Sequence, residues 1–231
     1  MKEKFKKVLL NIFYSFMWIA LIVVIVDLIT KQVILHNMNV GDQYFLIPNF
    51  LSINFLVNDG MAFSLNFNIT NLVWRRVVFA LISVIGGGLI MFMYVRSYKK
   101  LKNISKIALA LMFAGCFGNL IDRAFYSQEY LSRFADGVTH YGVIDFIGFD
   151  FGSYSFPRFN VADASLVIGT FILIVVLIAE EVSDAKERAR KERESESNEK
   201  LVSQDEKVID TSKEVKEETP VEEVKESSND Q

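Results

Sequence analysis

FNVADASLVIGTFILIVVLIAEE, residues 159–181, is the stretch from which the rest of the chain can be read. From Ala162 to Ala179 it is apolar except near its start, where Asp163 stands. A hydrocarbon core of about 30 Å needs about 20 helical residues, so this run is long enough to cross one. A charged side chain inside a membrane span is unfavourable by about 2.5–3.5 kcal/mol on insertion scales, and one that is retained marks a functional site by default. Taken alone, Asp163 could also be a helix cap or a first-turn acid stabilised by the helix dipole.

Working outward from this run, three more apolar stretches are long enough to span: approximately Val8–Ile29, Val73–Val95 and Ile104–Ile121, with Val161–Ala179 as the fourth. The chain of 231 residues is 51% hydrophobic, carries 20 Phe, and keeps a mean hydropathy of +0.26 despite a strongly charged end. The first run follows Lys2, Lys4, Lys6 and Lys7, as a secretory signal would. It is longer than a signal's apolar region, lacks a small-residue cleavage pattern, and meets Asp27 and Lys31 where cleavage would fall, so it reads as a retained helix.

Lys and Arg set the expected orientation. The N-terminal KEKFKK, the segment RSYKKLKNISK and the KERARKER after the fourth span fall on one side of four spans, which is then cytoplasmic. Residues 30–72 and 124–160 become outer loops, with Arg75 and Arg76 at the outer mouth of the second span. The polar residues at the span ends then share one side: Asp27 and Lys31, then Asn119, Asp122 and Arg123, then Asn160 and Asp163.

In the first outer loop, QYFLI and LSINFLVN read as short strands about a Pro48-Asn49 turn, with Asn58-Asp59-Gly60 as a second turn signal. The second outer loop reads as an interfacial segment carrying Phe146, Phe149, Phe151, Phe156 and Phe159. The expected fold is therefore a membrane all-α domain over residues 1–180, four transmembrane helices with a small extracytoplasmic β-cradle. Residues 181–231 form a charged cytoplasmic tail, helical at first and then expected to be without order.

The formal net charge of -3 sums a basic juxtamembrane part and an acidic-rich tail, and no nucleic-acid footprint is indicated. One cysteine, Cys116, excludes an intrachain disulfide and reads as packing in an apolar helix. His36 and His140 lack metal-ligand spacing and read as surface residues.

Two carboxylates held close together do not both ionise readily, so one keeps a proton while the other stays charged, and the pair can work as general acid and general base. Asp145 and Asp163 are the best such pair, each flanked by apolar residues in Val143-Ile144-Asp145-Phe146 and Val161-Ala162-Asp163-Ala164. Asp145 alone would be an ordinary loop acid; together with the polar span ends, the two point to an aspartic hydrolase. Asp27 and Lys31, four residues apart, share a helical face and suit a structural ion pair, and Asp122 could pair with Arg123 or Lys31.

These residues occur in ordered blocks: Asp27-Leu-Ile-Thr-Lys31, Asn58-Asp-Gly60-Met-Ala62-Phe63-Ser64, Gly115-Cys-Phe-Gly118-Asn119-Leu-Ile-Asp122-Arg123, Val143-Ile-Asp145-Phe146 and Phe159-Asn160-Val-Ala162-Asp163. Over residues 8–180 the chain resembles the lipoprotein signal peptidases, or signal peptidase II family. The resemblance implies a four-span aspartyl peptidase of the bacterial cytoplasmic membrane. Such an enzyme removes signal peptides from diacylglyceryl-modified prolipoproteins, cutting before the lipidated cysteine. It implies catalysis by Asp145 and Asp163 and a site shaped by Asn58, Gly60, Asn119, Arg123 and Asn160. Asp27, Lys31, Gly115, Asp122 and Ala162 are implied to be structural neighbours. No metal or cofactor is implied; the partners are the prolipoproteins and membrane lipids, and the enzyme is expected to be a monomer. The segment Ala124–Gly142 is longer than the family's usual loop, and the charged tail lies outside the family core. A small ion- or proton-coupled carrier could also use intramembrane carboxylates, but it needs polar groups through the bilayer depth, whereas here they crowd one end. A membrane scaffold would leave the motif blocks unexplained.

Overall fold

A computed structural model describes residues 16–58, 60, 70–125 and 142–217, without the side chains of Leu72 and residues 197–217. Four helices are long and apolar enough to cross a membrane. They are α1 (Trp18–Asn37), α2 (Leu72–Ser97), α3 (Asn103–Phe125) and α4 (Val161–Glu217), of which Val161–Glu196 contains the apolar span. Between them lie strands β1 (Gln43–Ile47), β2 (Leu51–Asn58), β3 (Val143–Phe151) and β4 (Tyr154–Ser155). The chain divides into two compact units, residues 1–177 and 178–231.

Helix α1 shows how the sequence sorts its faces. Its buried residues, Ala20, Val24, Asp27, Lys31, Ile34 and Leu35, recur every three or four positions and form one stripe. Trp18, Leu21, Ile22, Ile25, Val26, Ile29 and Val33 are exposed. This apolar outside is what lipid, rather than water, requires. The helix continues eight residues beyond the expected Ile29, so Asp27 and Lys31 lie within it rather than closing it. The extension is explained by Ile34 and Leu35, which carry the buried stripe onto the sheet.

Two apolar clusters divide the first unit. Ala20 and Val24 of α1 pack with Ile90 and Tyr94 of α2 and with Leu109, Ala110 and Ala114 of α3. Ile34, Leu35 and Met38 pack against Phe55 and Val57 of β2 and Ile144 and Phe146 of β3. The sheet is antiparallel in the order β1-β2-β3-β4 and so rests on the end of α1. Asn49, at φ 57°, makes the β1–β2 turn, a left-handed position that Asn tolerates.

Strand β3 corrects the interfacial-loop reading of the second outer segment. It pairs Leu56 with Asp145 and Asn58 with Val143, so Asp145 is a strand residue, not a loop acid. Phe146 is core; Phe149 and Phe159 are half-buried, and Phe151 and Phe156 are exposed. Beyond the apolar span, α4 is helical to Glu217, whereas composition predicts no order after its first charged turns. Ion pairs one turn apart support its exposed part, Lys191 with Glu187 at 2.7 Å and Arg190 with Glu194 at 3.2 Å. The motif residues Met61–Ser64, His140 and most of the Ala124–Gly142 segment lie outside the described residues, as do residues 1–15 and 218–231.

Candidate active site

Helix α4 begins where the site does. Asn160 is its N-cap: the side-chain oxygen accepts from Asp163 N at 2.9 Å, while Asp163 Oδ2 accepts from Asn160 N at 3.3 Å. This reciprocal capping box explains why an acid three residues after Asn160 is tolerated at the mouth of an apolar helix. The other half of the Asn160 amide turns outward, and its Nδ2 donates to Asp145 Oδ1 at 2.7 Å. A single residue thus ties the aspartate on β3 to the aspartate on α4.

The remaining oxygens are also held. Asn58, on the strand next to β3, donates to Asp145 Oδ2 at 2.8 Å, and its own Oδ1 accepts from Gly60 N at 2.9 Å. Asn119 of α3 donates to Asp163 Oδ1 at 2.7 Å. Arg123, one turn further along α3, is buried over the Phe79 ring and donates to Gly60 O at 3.2 Å and Asn119 O at 3.4 Å. Its positive charge lies within electrostatic reach of Asp163, Asp122 and Asp145.

Asp145 is 1% exposed. Burial, reinforced by the negative charge of Asp163, pushes its carboxyl up to about 8 against the hydrogen bonds from Asn58 and Asn160. Burial thus favours a proton on this carboxyl beside a second carboxylate, the arrangement required for paired acid and base work.

Beneath the pair lies a buried ion cluster. Lys31 Nζ is 2.7 Å from Asp27 Oδ2, 3.0 Å from Asp122 Oδ2 and 3.3 Å from Asn119 Oδ1. Asp122 thus pairs with Lys31, one of the two partners open to it in the sequence. Asp27 Oδ1 accepts from Ala162 N at 2.9 Å and Asp122 Oδ2 from Ile144 N at 3.3 Å. Gly115 and Gly118 make room for these contacts. A Cβ on Gly115 would lie 2.5 Å from Ala162 O, and one on Gly118 would lie 2.8 Å from Asp27 Oδ2. Ala162 is itself fully buried against this crossing.

All twelve residues singled out in the sequence therefore converge on one end of the four helices. Sequence reasoning placed Arg76 at the mouth of the second span but missed its donation to the last carbonyls of α3, Arg123 O and, at 2.8 Å, Ala124 O. It also missed a second polar group on the sheet, where Asp150 is held by Ser155 at 2.6 Å and Arg158 at 3.0 Å. Chiefly the Ser155 hydroxyl, and then Arg158, keep the Asp150 carboxyl below the usual range. The Arg76 contacts join distant segments, whereas Asp150 meets Ser155 and Arg158 within one short stretch whose residues form no recognisable motif. Among the described residues no group of three or more His, Cys, Asp or Glu is placed to hold a metal ion. His36 is exposed and bonds only within its own helix, to Gln32 O at 2.8 Å.

A family model described as signal peptidase (SPase) II matches residues 19–179. The chain is 34% identical over 162 residues to the lipoprotein signal peptidase of Staphylococcus carnosus, covering 70% of this chain and 89% of that protein. It is 34% identical over 163 residues to that of Listeria monocytogenes, covering 71% and 92%. A bacterial membrane enzyme solved in meso at 2.3 Å superposes with a TM-score of 0.57 at 31% identity, over 71% of this chain and 87% of that one. With four spanning helices, a small sheet and two aspartates joined through one asparagine, the chain belongs to the signal peptidase II family of aspartic-type membrane peptidases.

Proposed function

We propose that the protein is an endopeptidase that cuts signal peptides from diacylglyceryl-modified prolipoproteins on the N-terminal side of the lipidated cysteine, with Asp145 and Asp163 as its catalytic pair. The observation that carries this reading is the Asn160 bridge, which joins Asp145 and Asp163 through one amide. Asp163 is the base. It sits in the first turn of α4, where the helix N-terminus favours negative charge, and it faces Arg123.

In this mechanism Asp163 takes a proton from a water held between the carboxyls, and the hydroxide forms a bond to the scissile carbonyl carbon. Asp145 gives its proton to the carbonyl oxygen, so the tetrahedral intermediate carries no net charge. Asp163 then hands its proton to the departing amine as the C–N bond breaks. Asp145 recovers a proton from the intermediate's hydroxyl as the carboxyl product forms. Acid and base assistance of this kind contributes about 10²–10⁴-fold, and positioning supplies the remainder. Asn58 and Asn160 fix Asp145, Asn119 fixes Asp163, and Gly60 O orients Arg123.

The Lys and Arg distribution supports cytoplasmic termini and a site at the outer leaflet, where the acyl chains of a modified cysteine can stay in the bilayer while the peptide reaches the pair. The test is the cleavage site and its lipid dependence. Purified protein should cut a modified prolipoprotein immediately before the cysteine, as read by mass spectrometry, and leave the unmodified precursor intact. Cutting elsewhere, or equal cutting of both precursors, would overturn the substrate assignment.

A further inference from the structure

Lys31 makes no contact with Asp145 or Asp163 among the described hydrogen bonds, yet every one of its partners touches the machinery. Its two carboxylate partners hold the backbone N–H immediately before each aspartate: Asp27 holds Ala162, next to Asp163, and Asp122 holds Ile144, next to Asp145. Its third partner, Asn119, bonds Asp163 directly. We propose that Lys31 is a positioning residue for the reaction. Through its partners this buried cation sets the placement of both aspartates and the orientation of the amide that holds Asp163. The inference rests on the assignment of Asp145 and Asp163 as the catalytic pair.

The orientation argument follows from donor chemistry. An ammonium has three donors and no acceptor, so the Asn119 atom facing Lys31 must be the oxygen. The amide nitrogen is then turned to Asp163, where an ionised carboxylate accepts. Asn160 Nδ2 also approaches Asn119 Oδ1, at 3.2 Å, but it has two hydrogens for three acceptors, the others being Asp145 Oδ1 at 2.7 Å and Ile144 O at 3.3 Å. Asp145 therefore engages one of those hydrogens and the other is shared. Lys31 supplies the charged donor that keeps the Asn119 amide from turning over.

Charge points the same way. The site collects four carboxylates, Asp27, Asp122, Asp145 and Asp163, against two cations, Lys31 and Arg123. Within electrostatic reach of Lys31 among the described residues are Asp27 from its own helix, Asp122 from α3, Asp145 from β3 and Asp163 from α4. With one proton on the catalytic pair the six groups sum to one negative charge. Without Lys31 they sum to two, and the added repulsion falls on the pair that has to ionise.

The test separates position from bulk stability. Lys31→Met leaves Asp27 and Asp122 unpaired and can unfold the protein, so it is made beside Lys31→Met/Asp122→Asn, which removes one charge of each sign and keeps an acceptor for Ile144 N. Both are assayed with a lipid-modified precursor across pH, with Asp163→Asn as control. The folded double variant keeps the wild type's net charge at the site, so it is expected to lose about tenfold or more in kcat through misplacement, with KM little changed and its kcat–pH profile in place. Wild-type kcat in the folded double variant would overturn the inference and leave Lys31 a structural ion. If Asp163→Asn itself turns over, the catalytic pair is wrong, and that failure is read independently of Lys31.

Discussion

At the scale of single residues, Asp145 decides the pH behaviour. Its carboxyl is raised to about 8 by burial and by the charge of Asp163, against an ordinary value of 3.8. The folded state therefore holds a proton there that the unfolded chain has released. The contribution to stability is complete below about 3.8 and is lost progressively as pH rises to about 8. Asp145→Asn should accordingly be inactive but more stable than wild type by roughly 1–3 kcal/mol at pH 8, with no gain at pH 4, as read from melting curves in detergent. Turnover in the wild type should fall on the alkaline side as the acid loses its proton. Asn160 separates two roles. Asn160→Ser keeps a capping oxygen for α4 and should change stability by less than about 1 kcal/mol, yet it removes the donor to Asp145 and should lower kcat about tenfold or more. The identities of these residues were legible in the sequence because a charged or amide side chain at the end of an apolar run has few bland explanations. Their wiring was not. That Asp122 pairs with Lys31, and that Asn160 bridges the two aspartates, depends on segments between 15 and 91 positions apart meeting in space.

At the scale of elements, the crossing of α3 on α4 controls the site. Gly115 and Gly118 bring the helices so close that a single methyl would strike the Ala162 carbonyl, which cannot withdraw without moving Asp163's helix, or the Asp27 carboxylate, which cannot withdraw without straining its bonds to Ala162 N and Lys31. Gly115→Ala and Gly118→Ala should each destabilise by about 1–3 kcal/mol and lower activity. Gly88 of α2 has open space at its Cβ position, so Gly88→Ala should fold and cleave like wild type. Thermal melts and cleavage assays on the three variants distinguish a required close approach from ordinary helical glycine. The four helices and strands β1 and β2 could be read from local pattern, since apolar length and alternation are properties of neighbouring residues. Strand β3 could not. Buried on both faces near Val143–Phe146, it shows little alternation, and its partner β2 lies far away in sequence. The end of α1 is hidden from the sequence for a related reason, because Thr30, Lys31 and Gln32 interrupt the apolar run although the buried stripe continues to Leu35.

At the scale of the whole molecule, the polar site and the sheet share one end of the four helices, and the charge bias of the loops underlies the proposal that this end faces outside. In a Cys116→Ala background, Ser155→Cys should react with a membrane-impermeant maleimide on intact cells, and Glu187→Cys only after permeabilisation. The reverse pattern would invert the assigned topology. The family match ends at residue 179, so a chain ending at Glu196 should process substrate at the wild-type rate. The central claim is that Asp145 and Asp163 together perform hydrolysis, and one measurement tests it most directly. Cleavage of a diacylglyceryl-modified prolipoprotein is followed with purified wild type, Asp145→Asn and Asp163→Asn, each confirmed folded in detergent. Cleavage by the wild type and none by either folded variant is the predicted result; turnover by either variant at a substantial fraction of the wild-type rate would contradict it.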